Sequence, residues 1–423
     1  MNHIISKDFI NIDGNIEGCY DVIQANQILI GFDKTNYLKS SFQFSNIFDS
    51  NELKFFVKVE KSKGNFIDLK KSLPFLKNYQ FTLGDSFGNF EFAGDLTYFK
   101  KMMDINGLFN STNGSISSNV KLNLANIFNP SYSGEIKSTK LNLGLMFNIQ
   151  NLGLINFNGK VKGSGLSLDN LKAELEGNLD HFNYQKYSFN KVSINGTLSN
   201  KIYNGNVKIT DSLIDLEGYV NINLKESLPQ YSFDGTLNLL NLNLLKIPQK
   251  NVKIHSNISF KFKGNQWDNL NTKLYLDDIT LSKDKSVYNI NYFKAEAEKT
   301  NSNNYVYNIE SDFLETSLES SVPINLFMPN FQQIFFKYLT KFYVDSNITI
   351  NPNFAYNLNY RIKKPIVFFQ IFDYPFSGLE NMTLKSGFSS NKSYFLNLNI
   401  PNFNFKNIKT TNINLDISEN NNA

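Results

Sequence analysis

The sequence predicts an all-β protein with an elongated, mostly antiparallel repeat architecture. Apolar and polar residues alternate along most of its 423 residues, and a β-strand sends alternate side chains to opposite faces of a sheet. Strand and turn units recur about every 8 to 12 residues, the spacing of a sandwich, a barrel or a solenoid. Ordinary sandwiches rarely exceed about 250 residues as one domain, so the long repetition favours an elongated sheet.

The predicted strands follow one another with short interruptions. The strongest is Ile214–Leu224, in which apolar side chains alternate with polar ones over most of its length. Taken in order, the predicted strands are Phe87–Leu96, Ser115–Leu124, Ser133–Leu143, Leu154–Val161, Val192–Leu198, Asn206–Thr210, Ile214–Leu224, Ser232–Leu244, Ile254–Phe262, Leu274–Leu281, Tyr305–Ser311, Ser346–Ile350, Ala355–Ile362, Met382–Phe388, Phe395–Ile400 and Thr411–Ile417.

Glycines in this pattern predict two features, turns between strands and bends within them. Asn-Gly pairs favour tight hairpin turns, which predicts turns at five places: Asn106–Gly107, Asn113–Gly114, Asn158–Gly159, Asn195–Gly196 and Asn204–Gly205. Gly196 and Gly218 also fall inside strand patterns. A glycine there indicates a bulge or bend that curves the sheet.

One segment has a helical period instead. After Pro329, apolar residues recur at helical spacing and form one stripe: Phe331, Ile334, Phe335, Tyr338, Leu339 and Phe342. This predicts one short amphipathic α-helix near 330–343, docked on the open end of the sheet. A membrane-surface or partner-binding helix is the alternative.

Organisation is predicted from these patterns and from the resemblance given below. Residues 1–68 form a partial N-terminal β repeat, and 69–327 form the main β repeats. The amphipathic helix takes 328–344, and 345–423 form a truncated C-terminal β repeat.

Composition excludes several classes of function. The 42 basic and 38 acidic residues are scattered and leave a formal net charge of +4, whereas nucleic-acid binding normally needs a clustered basic patch. A single cysteine, Cys19, excludes an internal disulfide framework. No window reaches the roughly 20 apolar residues of a membrane-spanning helix. Because the charges are scattered and do not cluster, we expect no nucleic-acid partner.

Residues for catalysis or metal binding are scarce. His3, His181 and His255 lie far apart without ligand spacing, so we expect no metal site and no cofactor. Gly84–Gly88 matches the letters of the G-x-S-x-G nucleophile elbow, but a strand pattern follows where that motif needs a helix. The sequence therefore predicts a protein that is not an enzyme.

The apolar strand face is the main candidate for function. One apolar face of a sheet must be buried against something: a second sheet, the rest of a barrel, or a ligand held in a gutter. The candidate lining residues are Val192, Ile194, Leu198, Val207, Ile209, Ile214, Leu216, Val220, Ile222, Leu224, Leu240, Leu242 and Leu244.

Several runs resemble the middle of TamB-like translocation and assembly module proteins, within the wider AsmA-like, bridge-like lipid transfer group. These runs are GDSFGNFEFAGDLTYFKKMMDINGLFNSTNGSISSNVKLNL (Gly84–Leu124), YSGEIKSTKLNL (Tyr132–Leu143) and its continuation to Ile209, DSLIDLEGYVNINL (Asp211–Leu224) and LNIPNFNFKNIKTTNINLDI (Leu398–Ile417). The shared features are patterned and not chemical, so the resemblance supplies no catalytic residue.

The resemblance implies an internal fragment of a periplasmic protein from a Gram-negative cell. Its repeats are expected to form a curved, open hydrophobic groove of the β-taco type. The inner-membrane anchor, N-terminal in the full-length protein, and the C-terminal domain that meets an outer-membrane assembly-factor barrel are both expected to lie outside this chain. The expected function is conduction of phospholipid acyl chains between the inner and outer membranes. The alternative is a chaperone-like scaffold that assists outer-membrane protein assembly through sheet-edge pairing.

Overall fold

The chain folds into antiparallel β-sheet, as the alternation predicts. The computed structural model describes residues 10–32, 35–68, 86–147, 152–165, 169–184, 187–245, 251–300, 304–339, 353–365, 371, 376–389, 393–406 and 408–419. The chain divides into two compact units, Met1–Asp211 and Ser212–Ala423. This boundary lies inside the predicted 69–327 segment.

The first unit is a meander in which each long strand pairs with the next. Its elements are β1 (Asn11–Cys19), β2 (Val22–Gly31), β3 (Tyr37–Ser45), β4 (Lys54–Asn65), β5 (Asn89–Phe99), β6 (Met102–Ser111), β7 (Gly114–Asn123), β8 (Ser131–Thr139), β9 (Leu141–Asn142), α1 (Leu143–Phe147), β10 (Leu152–Ser164), β11 (Lys172–Tyr184), β12 (Tyr187–Phe189), β13 (Val192–Ser199) and β14 (Ile202–Thr210). Strands β8 and β9 both pair with β10, and β12 and β13 both pair with β11.

The second unit repeats this plan. Its elements are β15 (Ile214–Asn223), β16 (Gln230–Asn241), β17 (Lys253–Lys263), β18 (Asn271–Lys283), β19 (Ser286–Lys299), β20 (Tyr305–Ser311), β21 (Leu314–Ser320), α2 (Ile324–Leu339), β22 (Tyr356–Ile362), β23 (Phe376–Gly378), β24 (Thr383–Phe388), β25 (Tyr394–Phe405) and β26 (Ile408–Glu419), with 3-10 turns at Leu242–Leu245 and Trp267–Asn269. Neither unit closes into a barrel, because its first and last described strands do not pair with each other. The prediction of an all-β, mostly antiparallel open sheet is confirmed.

Helix α2 is present but begins six residues before the predicted start at 330. The backbone N–H of Ile324 donates to the Tyr307 hydroxyl at 2.8 Å, which satisfies one of the free N–H groups at the helix start. Pro329 therefore lies inside the helix and does not precede it. The apolar stripe runs back from Phe331 through Phe327 to Ile324, so packing extends the helix despite the proline.

Most of the predicted Asn-Gly turns are wrong. Asn113–Gly114 does connect β6 and β7, but the other four pairs lie inside β6, β10, β13 and β14. The predicted bulges at Gly196 and Gly218 are also wrong, because these residues pair in regular register with Gly205 and Gly235. Aromatic rings and the backbone of the neighbouring strand pack closely against these glycines on the apolar face.

Candidate apolar ligand-binding face

In the first unit, strand register gathers the predicted lining residues on one face of the sheet. Val192 pairs with Ile209 and Ile194 pairs with Val207. The same face continues through β11, where Leu179 opposes Val192. The alternation in sequence thus becomes a row of apolar side chains that crosses neighbouring strands.

The second unit carries an equivalent face. Ile214 pairs with Leu240, Val220 with Phe233 and Ile222 with Tyr231. Phe233 then opposes Phe260 on β17, and their rings stack with centroids 5.9 Å apart.

Most of the lining residues are only half-buried. Ten of the thirteen are in this state: Ile194, Leu198, Val207, Ile209, Ile214, Leu216, Val220, Ile222, Leu240 and Leu244. Val192 is buried, whereas Leu224 is exposed just after the end of β15. A face packed under a second sheet would be fully buried, so this part of the apolar surface is partly open to solvent.

The far end of the predicted Ser232–Leu244 strand departs from the prediction. Strand β16 ends at Asn241, and Leu242 and Leu244 lie in a 3-10 turn. Leu242 packs into a buried cluster with Val252 and Ile371. A register shift between Leu237 and Leu240 precedes the last two pairs of β16 with β17, Leu240 with Ile254 and Asn241 with Lys253.

Buried clusters cover only parts of the two faces. In the first unit, Phe87, Leu141 and Ile155 form a buried cluster against one end of the strands. In the second unit, helix α2 lies on β20 to β26 and contributes Phe327 and Ile334 to the largest cluster. Away from these clusters, the apolar sides of β13 and β14 in the first unit and of β15 and β16 in the second are half-buried.

The structure describes the side chains of two of the six residues in the predicted apolar stripe of the helix. Ile334 is completely buried and Phe331 packs against the same cluster. Phe335, Tyr338 and Leu339 lie within α2, but their side chains are outside the described part of the structure, as is the whole of Phe342. Docking of the helix on the sheet is the arrangement that we predicted.

Aromatic rings lying over paired glycines are a feature that the sequence reasoning missed. A Cβ at Gly177 would meet the Phe157 ring at 2.6 Å and the Asn158 carbonyl oxygen at 2.6 Å. A Cβ at Gly218 would meet the Phe233 ring at 2.7 Å and the Asp234 carbonyl oxygen at 2.4 Å. The rings cover the backbone where side chains are missing, a known means of stabilising glycine in sheets.

A short pattern in the sequence could have revealed this feature. An aromatic residue stands two positions before a strand glycine in six of the described strands: Phe92–Gly94, Tyr132–Gly134, Phe157–Gly159, Tyr203–Gly205, Phe233–Gly235 and Phe376–Gly378. Because two residues apart means the same face of a strand, the pattern places each ring beside its glycine on the apolar side.

The opposite face is polar and carries complementary charges. Glu135 pairs with Lys160, which pairs with Glu176 on the next strand. Such cross-strand pairs contribute roughly 0.2–1 kcal/mol each. They also favour one register, because a slip by one residue would turn the apolar side chains to this face.

No protein family, curated protein or solved structure matches this chain. The resemblance to TamB-like proteins therefore stays a prediction that rests on the patterns in the sequence.

Polar side chains on the described elements form local hydrogen bonds. The Tyr356 hydroxyl lies 2.8 Å from the Ser386 hydroxyl in a buried pair, and burial raises the pKa of Tyr356. His181 contacts the Ser188 hydroxyl at 3.1 Å. Within the described ranges, no three His, Cys, Asp or Glu side chains cluster in a way that could hold a metal ion. No helix in those ranges is long and apolar enough to span a membrane.

Proposed function

We propose that this chain is a non-enzymatic envelope-biogenesis protein whose apolar face shelters phospholipid acyl chains and conducts them between the inner and outer membranes. The observation that carries the proposal is that each unit has its own half-buried apolar face, across β13 and β14 in the first and across β15 and β16 in the second.

Acyl chains suit such a face because their transfer requires no specific contact. Burying each CH₂ group contributes about 0.8 kcal/mol, so a continuous row of aliphatic and aromatic side chains can replace the apolar interior of a membrane. Side chains such as Leu216 and Val220 keep part of their apolar surface available for this contact. In an ordinary packed core this apolar surface would be buried and could not contact a ligand.

The cellular setting of the proposal comes from the family resemblance. We place the chain in the periplasm of a Gram-negative cell, with the full-length protein anchored in the inner membrane. An outer-membrane assembly-factor barrel would be its distant partner through a domain outside this chain. The cellular location and the partner are both taken from the resemblance to TamB-like proteins.

Site-specific photo-crosslinking tests the proposal directly. Crosslinkers at Leu216 and Val220, on the apolar side of β15, should capture lipid from cells that express the full chain. Crosslinkers at Glu217 and Asn221 are the matched controls, because they lie on the same strand and alternate with the test positions. Equal lipid labelling at all four positions would reject acyl-chain binding by this face.

A second candidate function is pairing of a sheet edge with unfolded outer-membrane strands. Every residue of β1 is exposed, and its Ile12 and Ile16 side chains are 57% and 52% exposed. An exposed, apolar edge strand is a template for strand addition. Leu216→Asp with Val220→Asp should remove the lipid bound by the second unit while leaving capture of a β-strand peptide intact if this function is also present.

A further inference from the structure

The turns at one end of the first unit present apolar side chains directly to solvent. Phe128 is 82% exposed and Ile127 is 51% exposed, both in the β7–β8 turn. Phe99 and Met102, which flank the neighbouring β5–β6 turn, are each 42% exposed. Alternate hairpins of an antiparallel meander turn at the same end of the sheet. The β5–β6 and β7–β8 turns are separated by the β6–β7 turn at the opposite end, so these four residues share one edge.

The β7–β8 turn holds its apolar residues outward through hydrogen bonds. The Asn126 side-chain oxygen accepts from the backbone N–H of Phe128 at 3.1 Å and of Asn129 at 3.2 Å. The Asn123 side-chain oxygen accepts from the Ala125 N–H at 2.9 Å. Such side-chain-to-backbone bonds define the turn, so the exposure of Phe128 follows from its local geometry.

Lysines surround these apolar residues. Lys101, Lys121, Lys162 and Lys172 are exposed, and none forms an ion pair with a described carboxylate. Counted over the turns and the three adjoining residues of each strand, from β5 to β14, this end carries six lysines and three acidic residues. The same count over β1 to β4 gives one lysine and four acidic residues at this end, so the positive charge is confined to its β5–β14 part.

A cavity lies beside the apolar turns. It measures about 680 Å³, and Lys121, Lys162, Lys172 and Met102 line it together with Glu174 and several serine hydroxyls. The three lysines outnumber the single carboxylate of Glu174 in this lining, and ammonium groups and hydroxyls are suitable donors for a phosphate-bearing group.

We infer that this edge, the aromatic–lysine strip (Phe99, Met102, Ile127 and Phe128 with Lys101, Lys121, Lys162 and Lys172), docks on an anionic lipid surface. Phe128 and Ile127 enter the boundary between headgroups and acyl chains, and the lysines contact lipid phosphates. Exposed apolar tips, combined with lysines that form no ion pair with a described carboxylate, favour a membrane over a protein surface, since protein interfaces are depleted in lysine. This inference does not depend on acyl-chain transport.

Vesicle sedimentation of the full chain tests the strip. The protein should bind phosphatidylcholine vesicles that contain about a quarter phosphatidylglycerol, and added salt should weaken the binding. Ile127→Ser with Phe128→Ser should reduce the affinity about tenfold. Each of Lys121→Gln and Lys162→Gln should reduce it about fivefold. All of these side chains are exposed, so the urea unfolding midpoint should not change and serves as the check on folding.

Two control variants make the result specific. Tyr20→Ser with Phe48→Ser removes rings that are 86% and 72% exposed at the same end of the unit, but Asp21, Asp49 and Glu52 lie beside them. This pair should change vesicle binding little. Leu216→Asp with Val220→Asp should leave vesicle binding intact even if lipid bound by the apolar face of the second unit is lost, which separates this inference from the proposed function.

Three outcomes would overturn the inference. The first is unchanged vesicle binding after Ile127→Ser with Phe128→Ser. The second is an equal loss in the Tyr20→Ser with Phe48→Ser control, which would indicate general adhesiveness of exposed rings. The third is concentration-dependent self-association that Phe128→Ser abolishes, without any vesicle binding, which would assign the strip to a second copy of this chain.

Discussion

At the scale of single residues, some glycines on the apolar faces leave no room for a Cβ next to the neighbouring backbone. A Cβ at Gly218 would lie 2.4 Å from the Asp234 carbonyl oxygen and 2.7 Å from the Gly235 Cα. Backbone atoms cannot move aside as a flexible side chain can, so Gly218→Ala should lower the free energy of unfolding by about 1–3 kcal/mol. Urea denaturation monitored by circular dichroism measures this change.

Gly387 supplies the matched control for that substitution. The three atoms nearest to a Cβ there all belong to the ring of Phe395, which is 40% exposed and can turn away. Gly387→Ala should therefore be neutral, or should stabilise by up to about 1 kcal/mol because alanine loses less backbone entropy. Equal destabilisation by both substitutions would contradict the role given to the backbone contacts.

A tyrosine near the end of the first unit makes stability dependent on pH. Burial, together with the 2.6 Å hydrogen bond that Tyr187 donates to Asp211, raises the pKa of Tyr187 to about 12. The unfolded chain has the ordinary tyrosine pKa of about 10. The folded state thus holds the proton more tightly, and this contribution to stability is complete below about pH 10 and is lost as the pH rises towards 12.

Substitution of Tyr187 isolates this contribution. Tyr187→Phe should lower the unfolding free energy relative to wild type at about pH 8, and the difference should shrink by about pH 11. Asp211→Asn should lower the pKa of Tyr187, because it removes a negative charge and the acceptor of the hydrogen bond. A difference between wild type and Tyr187→Phe that stays constant across this range would refute the assignment.

At the scale of elements, helix α2 stabilises the second unit through one apolar stripe. Ile334 is 0% exposed and Phe327 is 4% exposed, whereas Met328 on the same helix is 51% exposed. Ile334→Ala should lower the unfolding free energy by about 2–5 kcal/mol, since it leaves a cavity under the helix. Met328→Ala should change it by less than about 0.5 kcal/mol. Similar values for the two would mean that the helix does not pack as described.

The elements also show why sequence reasoning succeeded for strands and failed for glycines. Alternation found Ile214–Leu224 almost to the residue, because burial of one face forces a period of two. Asn-Gly pairs were misassigned, because the tertiary contact of a ring such as Phe157 over Gly159 and Gly177 is invisible to local turn preferences. The early start of α2 was missed for the same reason, as it depends on Tyr307, which lies on β20.

At the scale of the whole molecule, the proposed function predicts how many lipids the chain holds. Twelve strands of the first unit pair in one continuous series, and a spacing of about 4.8 Å carries the sheet roughly 50 Å across its strands. A bilayer's hydrocarbon core, two acyl layers thick, measures about 30 Å. The first unit alone is thus long enough for several acyl chains in line, and native mass spectrometry of the extracted full chain should detect more than one bound phospholipid.

Single charges on each apolar face then separate the contributions of the two units. Leu175→Asp in the first unit and Val220→Asp in the second should each remove part of the bound lipid, because an ionised carboxylate is costly to bury in an apolar contact. The two substitutions together should remove nearly all of it. Glu176→Gln, on the polar side of the same strand as Leu175, should leave the lipid count unchanged. Since each unit carries its own half-buried face, loss of all lipid after Leu175→Asp alone would contradict independent binding by the two faces.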